Sequence, residues 1–296
     1  MQQDNRQSAL WMMGAMAGFV LGDTCIKLLG ETLPLSQIIV LRGIPAVLMV
    51  WFLARMLGPV RHPLPAADWR LIGIRSLADV CTTFFFLSAL TNMPIANATA
   101  MMLISPLAIT LTGALFLAEH VGWRRWLAVG TGFVGMVLIV QPGGAGFNFY
   151  SVYVLVAVCS VVVRDVVTRK MSPAVPSMLV SLINTVNVFL FGVIWSFFQP
   201  WTPVQSDAWI WIIGAAALVV FAYICSIMTV RTGEVSAVAP FRYTGLLMAL
   251  ILGWLVFDEW PNTMALIGGL IVVISGVYAL WREALAGRKI AKGNGC

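Results

Sequence analysis

Two long apolar stretches, each interrupted by a proline and closed by an acid, constrain this chain more than any other feature. Glu234–Trp260 reads EVSAVAPFRYTGLLMALILGWLVFDEW, with Pro240 and Arg242 about a third of the way in and Asp258 and Glu259 at its end. A looser copy, ANATAMMLISPLAITLTGALFLAEHVG, occupies Ala96–Gly122, with an interior Pro106 and a closing Glu119. The two glutamates lie 140 positions apart in a chain of 296 residues. A helix needs about 20 apolar residues to span a bilayer. Such a helix occurring twice at half-length separation is the repeat signature of a membrane transporter.

Composition extends this reading to the whole chain. Hydrophobic residues make up 60% and charged residues 10%, where soluble proteins carry about 45–50% and about 25%. A soluble fold of that composition could not cover its surface with polar groups, so the chain reads as a polytopic membrane protein. Cys25, Cys81, Cys159 and Cys225 sit in apolar segments without a CxxC partner, and the histidines are His62 and His120. No metal site, cofactor or disulfide framework is expected from such a set, and small-hydrophobe packing accounts for the thiols. The polar stretch Gln2–Ser8 followed by a full-length apolar run does not read as a cleavable signal peptide.

Ten apolar segments follow one another, at about 9–29, 36–57, 71–91, 95–117, 124–140, 150–170, 177–198, 208–230, 235–257 and 263–282. Short breaks rich in Gly, Pro and Asn separate them. The expected class is therefore all-α integral membrane, because a bilayer offers unpaired backbone groups no water. With the N-terminus in the cytoplasm, the even-numbered loops carry Arg55, Arg61, Arg70, Arg124, Arg125, Arg169, Lys170 and Arg231. The odd-numbered loops carry only acids: Glu31, Asp207, Asp258 and Glu259. This split predicts both termini inside and a multi-pass protein of a cell (inner) membrane. The net charge of +6 is then an orientation device facing anionic lipid, and nucleic acid is not expected as a partner. Five helices per half is an odd number, so the halves are predicted to be inverted repeats: 1–143, 144–283, and a basic cytoplasmic tail at 284–296.

The segments PLAITLTGALFLAEHVGWRRWLAVGTGFVGMVLIVQPG and APFRYTGLLMALILGWLVFDEWPNTMALIGGLIVVISGVYAL resemble the EamA repeat of the drug/metabolite transporter superfamily. The shared pattern is an apolar helix ending on an acid, a short polar turn, then a glycine-studded helix. Arg42, within IIVLRGIPAVL, matches an arginine common in these proteins. The resemblance covers residues 10–282 and implies a ten-helix carrier of a small organic solute. Many relatives carry an acid where this sequence has Arg242. Vitamin and S-adenosylmethionine importers of the superfamily look similar around that segment.

Ionisable groups inside hydrocarbon cost about 2.5–3.5 kcal/mol each on insertion scales, which makes every one a functional candidate. Arg242 stands first, just after Pro240, with Tyr243 beside it; its fork of donors suits a carboxylate, a phosphate or a flat polar ring edge. Asp23 and Lys27 are four apart on one helix face, as an internal ion pair or as a proton or amine site. Arg42 is expected to snorkel or to close a gate with an acid. Arg75 is placed at a helix end and expected to snorkel, while Asp79 lies deeper. Arg164 and Asp165, being adjacent, are expected to point to different faces and not to neutralise each other. Asn97, Asn184 and Asn187 suit interhelical hydrogen bonds. Phe84, Phe85, Phe86, Tyr223 and Trp254 suit a cavity lining or lipid contact. Trp123, Trp126, Trp201, Trp209 and Trp260 fall at expected interfaces, and Gly130, Gly132, Gly135, Gly268, Gly269 and Gly276 suit close helix packing or a dimer contact.

These expectations converge on a secondary transporter with a central cavity between inverted halves and a small molecule as its substrate. The expected contacts are Arg242, Tyr243, Asp79, Asp23, Lys27, Arg42, Asn97, Asn187, Tyr223 and Phe86. Proton coupling through Asp23 or Asp79 and facilitated exchange both fit, and a homodimer is compatible. No Walker A loop points to ATP, and no HExxH or GxSxG points to a membrane-embedded enzyme on a lipid-linked substrate. A channel would favour a polar stripe along several helices, whereas these charges are isolated.

Overall fold

The structure, a computed structural model, describes residues 5–57, 64–116, 123–143, 147–172, 174–232 and 239–293. Among these residues every regular element is helical. They are α1 (Asn5–Leu29), α2 (Leu35–Leu57), α3 (Ala66–Leu90), α4 (Ile95–Met102), α5 (Ser105–Phe116), α6 (Trp123–Val140), α7 (Tyr150–Lys170), α8 (Ser177–Ser196), α9 (Ala208–Thr232), a 3-10 turn (Ala239–Tyr243), α10 (Thr244–Phe257) and α11 (Thr263–Gly293). Among the described residues, eight stretches are long and apolar enough to cross a membrane, and Trp126–Val140 and Thr263–Ala279 are shorter apolar helices. Together they occupy the ten predicted positions. Large apolar side chains face outward along them: Leu10, Phe52, Ile194, Ile210 and Leu255 are each at least 60% exposed. That inverts the soluble pattern and suits lipid.

Three elements differ from the sequence reading. The fourth span is two helices, because Pro106 lacks an N–H and its ring crowds the carbonyl four residues back. That carbonyl belongs to Met102, where α4 ends; the Ser105 hydroxyl donates to it instead. The ninth span does not carry Arg242 inside an α-helix: Arg242 lies in the 3-10 turn, and α10 begins at Thr244. The last helix continues past 282 to Gly293, through a run of Ala, Leu, Arg and Lys residues of high helix propensity. Glu119, His62, His120 and Cys296 lie outside the described residues.

Two compact units are present, and each draws on both sides of residue 143. One comprises Met1–Val20, Met93–Ser151 and Ala222–Cys296. Within it α6 packs along α11. The crossing requires glycine: a Cβ on Gly268 would lie 2.5 Å from the Gly135 carbonyl oxygen, and one on Gly135 would lie 2.8 Å from that of Gly268. Such backbone proximity is the packing mode of small residues in membranes. α10 packs on α4, and the Glu259 carboxylate accepts the Ile95 N–H at 3.2 Å. Asp258 takes a left-handed backbone, φ 53°, so that α10 can end and the chain turn back.

The other unit comprises Leu21–Asn92 and Val152–Phe221. Here α2 and α3 both pack on α8. The fully buried Gln37 amide reads the Thr202 backbone in both directions, donating to its carbonyl at 2.8 Å and accepting its N–H at 3.0 Å. Beside it the Ser36 hydroxyl donates to Gln199 Oε1 at 2.7 Å. These bonds tie the start of α2 to the segment that follows α8.

Candidate functional site

The strongest concentration of polar chemistry in the second unit surrounds Asp79, half-way along α3. Three donors hold its carboxylate. Arg75, one turn earlier on the same helix, reaches Oδ2 through Nη1 at 3.2 Å. Arg164 of α7 reaches Oδ1 through Nη1 at 3.2 Å. Asn184 of α8 donates from Nδ2 to Oδ2 at 2.6 Å. One carboxylate thus binds three helices. Their side chains are only 15–26% exposed, which strengthens the attraction relative to water.

A second layer fixes these donors. The Ser76 hydroxyl, buried at 2% exposure, donates to Asn184 Oδ1 at 2.6 Å. A hydroxyl donated to the oxygen side of that amide leaves its NH₂ facing Asp79. Arg75 Nε donates to the Thr168 hydroxyl at 2.9 Å, and that hydroxyl donates in turn to the Arg164 carbonyl at 2.7 Å. Arg164 also donates from Nε to Asp165 Oδ1 at 2.9 Å. This corrects the expectation that neighbours in sequence could not neutralise each other: the guanidinium stem is long enough to fold back over its own helix. It also corrects the expected snorkelling of Arg75, whose head group turns to Asp79 and Thr168.

One to two turns further along α3 the chain is aromatic. Phe84 lies 5.0 Å from Phe85, 6.0 Å from Phe191 and 5.0 Å from Trp195, all edge-to-face, and 6.4 Å from Tyr153. Phe85 meets Tyr153 edge-on at 5.2 Å. All five rings are half-buried. α3 and α8 run from the charged set toward the rings, and α7 runs back, so both sets share the same three helices.

Of the other expected contacts in this unit, Asp23 and Arg42 interact electrostatically across α1 and α2. Lys27, one turn beyond Asp23, is buried at 7% exposure. Asn187 of α8 and Phe86 of α3 are half-buried. In the first unit, Arg242 is exposed in its 3-10 turn. Tyr243 is 4% exposed, its hydroxyl sits directly over Gly276, and that oxygen has no hydrogen-bond partner among the described residues. Asn97 is half-buried on α4. Tyr223 is exposed and meets Phe19 edge-on at 5.6 Å. The structure therefore gathers Asp79 with Arg75, Arg164, Asp165 and Asn184, and Asp23 with Arg42. Arg164, Asn184, Tyr153, Phe191 and Trp195 were not among the expected contacts. Arg164 and Asn184 were visible as polar residues in apolar helices, but nothing in the sequence links them to Asp79.

Residues 6–141 and 148–281 each match the EamA-like transporter family. The chain belongs to that family. It is thus a multi-pass membrane protein of the drug/metabolite transporter superfamily, built from two copies of one repeat. It is similar to a riboflavin transporter of Vibrio cholerae, 25% identical over 292 residues, covering 96% of each chain. It is also similar to an S-adenosylmethionine uptake transporter of Rickettsia conorii, 25% identical over 67% of each. A third relative is the pseudopaline exporter CntI of Pseudomonas aeruginosa, 22% identical over 89% of this chain and 93% of the relative. A solved crystal structure shares the fold with a TM-score of 0.64 at 18% identity, covering 97% of this chain and 99% of that one.

Proposed function

We propose that this EamA-like transporter is a secondary carrier, not an enzyme, that moves a small organic metabolite by alternating access. The metabolite is amino-acid-, vitamin- or nucleoside-like. The protein lies in a cell inner membrane with both termini in the cytoplasm, and Asp79 with its arginine and asparagine partners is the principal solute contact. The observation that carries this reading is the set of four charges, Asp79, Arg75, Arg164 and Asp165, inside apolar helices. An ion pair of this kind is often no more stabilising than well-packed apolar residues of the same volume. Charges retained among spans more commonly mark a solute or proton path. The names of the relatives support an organic solute of metabolic size, and they include both uptake and export.

Asp23, Lys27, Arg42, Asn97, Asn187, Phe86, Tyr223, Arg242 and Tyr243 are the remaining proposed contacts. Uptake into proteoliposomes, screened over amino acids, vitamins and nucleosides, tests the carrier reading. Arg242→Ala is expected to abolish flux while leaving a monodisperse, folded protein. Wild-type flux in that variant removes Arg242 from the site. An imposed pH gradient that leaves wild-type uptake unchanged removes proton coupling. Reporter tags at each end that emerge on opposite faces remove the two-repeat inverted arrangement.

A further inference from the structure

We propose that two stacked pairs, Trp51 with Arg55 on α2 and Trp123 with Arg124 on α6, each seat the headgroup of an anionic phospholipid. This goes beyond the transport reading and does not depend on it.

Each pair holds a cation against an indole with no acid to balance it. The Arg55 guanidinium carbon lies 4.5 Å from the centre of the Trp51 ring, and that of Arg124 lies 5.3 Å from the Trp123 ring. Neither arginine forms an ion pair or a hydrogen bond among the described residues, and neither α2 nor α6 contains an acid. Arg75 and Arg164, by contrast, are held by carboxylates. The indole covers one face of the planar guanidinium and leaves its in-plane N–H donors open. Those donors suit a phosphate, which they can grip in the bidentate manner.

The helix faces that run from these arginines toward the membrane interior have the length of an acyl chain. On α2, Ile44, Leu48, Trp51 and Arg55 follow one another at spacings of four, three and four, a single stripe of the helix. Ile44, Leu48 and Trp51 are 48%, 60% and 44% exposed. From Ile44 to Arg55 the axis runs about 16 Å, the depth of one leaflet in a hydrocarbon core of about 30 Å. On α6, Arg124, Leu127, Thr131 and Val134 form a comparable exposed stripe. The Thr131 hydroxyl turns back to the Leu127 carbonyl at 2.9 Å, which leaves its methyl group outward. Packing takes place through other residues: Gly43 meets Phe189 of α8, and Gly135 meets Gly268 of α11. The charge bias assigns both arginines to the cytoplasmic ends of their spans. At the opposite ends the exposed Trp209 and Trp260 stand near Asp207 and Glu259 instead. A zwitterionic lipid would bring its own cation against the arginine, whereas an anionic one brings only the phosphate.

Thermal unfolding of the purified, full-length protein in one detergent tests this. Dioleoylphosphatidylglycerol, dioleoylphosphatidylcholine and glycerol 3-phosphate are added at equal concentration, because a ligand held by the native state raises the unfolding temperature. The phosphatidylglycerol is expected to raise it by several degrees more than the phosphatidylcholine, and glycerol 3-phosphate to leave it unchanged. Arg55→Gln and Arg124→Gln are each expected to remove part of that difference, and the double variant most of it. Arg70→Gln is expected to leave the difference intact: Arg70 is exposed at the same membrane face but has no ring contact among the described residues. Comparing lipids within each variant cancels any change in its intrinsic stability. Equal shifts from the two phospholipids, or an equal shift from glycerol 3-phosphate, overturn the inference. So does a loss in Arg70→Gln as large as in the double variant, which would assign the effect to the general positive field. Uptake plays no part in these readings, so their failure leaves the carrier reading intact.

Discussion

The carboxylate of Glu259, at the end of the ninth span, accepts the backbone N–H of Ile95, the first residue of α4, at 3.2 Å. α4 follows Pro94, which offers no side-chain cap, so the Ile95 N–H, which its own helix cannot pair, would otherwise lack this partner. The repeat's closing acid is thus a cap delivered from a distant helix. Glu259→Ala is expected to destabilise the protein by about 1 kcal/mol, the usual loss for a removed N-cap acceptor. Glu259→Gln, which keeps an acceptor oxygen, is expected to lose less than half of that. Thermal unfolding of both variants in one detergent checks the order, and an Ala variant as stable as wild type removes the capping role.

The Asp79–Arg164 pair calls for a cycle of variants, since single changes strand a charge in an apolar setting. Asp79→Asn and Arg164→Gln are each expected to reduce uptake at least tenfold. The double variant is expected to be more stable than the sum of the singles implies, with a coupling of about 0.5–3 kcal/mol for groups in direct contact. Additive losses in thermal unfolding would show that the 3.2 Å contact carries no energy.

Ser76 separates positioning from contact. Its hydroxyl touches Asn184 rather than any charge, so Ser76→Ala is expected to let the amide turn its NH₂ away from Asp79 while both arginines stay in place. We expect the affinity for the transported solute to fall several-fold while maximal flux changes little, and Ser76→Thr to restore it. A Ser76→Ala protein with unchanged affinity and lowered maximal flux would place the hydroxyl in a conformational step instead.

How much of this was legible in the sequence depends on the range of the interaction. The ten spans, the doubled repeat and the all-helical class follow from local apolar length and from the copy at Ala96–Gly122. The break at Met102 was implicit in Pro106, because a proline acts on the carbonyl four residues back. Asp79 stood out as a charge in an apolar helix, yet its partners on α7 and α8 lie 85 and 105 positions away, and no local pattern encodes that register. Arg164 and Asp165 misled for the opposite reason. Helix geometry places adjacent Cβ atoms on different faces, but a guanidinium extends well beyond its Cβ. The aromatic group was half visible, as Phe84 and Phe85, and half hidden in Tyr153, Phe191 and Trp195.

Tyr243 and Gly276 give the last test, because stability and transport should part there. The hydroxyl is buried over a residue with no side chain, and an unbonded buried hydroxyl costs about 1–3 kcal/mol. Gly276→Ala places a methyl group where that oxygen lies, and overpacking of this kind costs about 1–3 kcal/mol. Gly276→Ala is therefore expected to lower the unfolding temperature, and Tyr243→Phe, which removes the oxygen, to leave it equal or higher. Combined, the Phe variant is expected to recover part of the loss caused by the alanine. If Tyr243 contacts solute, as proposed, Tyr243→Phe also lowers uptake in a protein at least as stable as wild type. Unchanged uptake with raised stability would assign Tyr243 to packing against α11 alone.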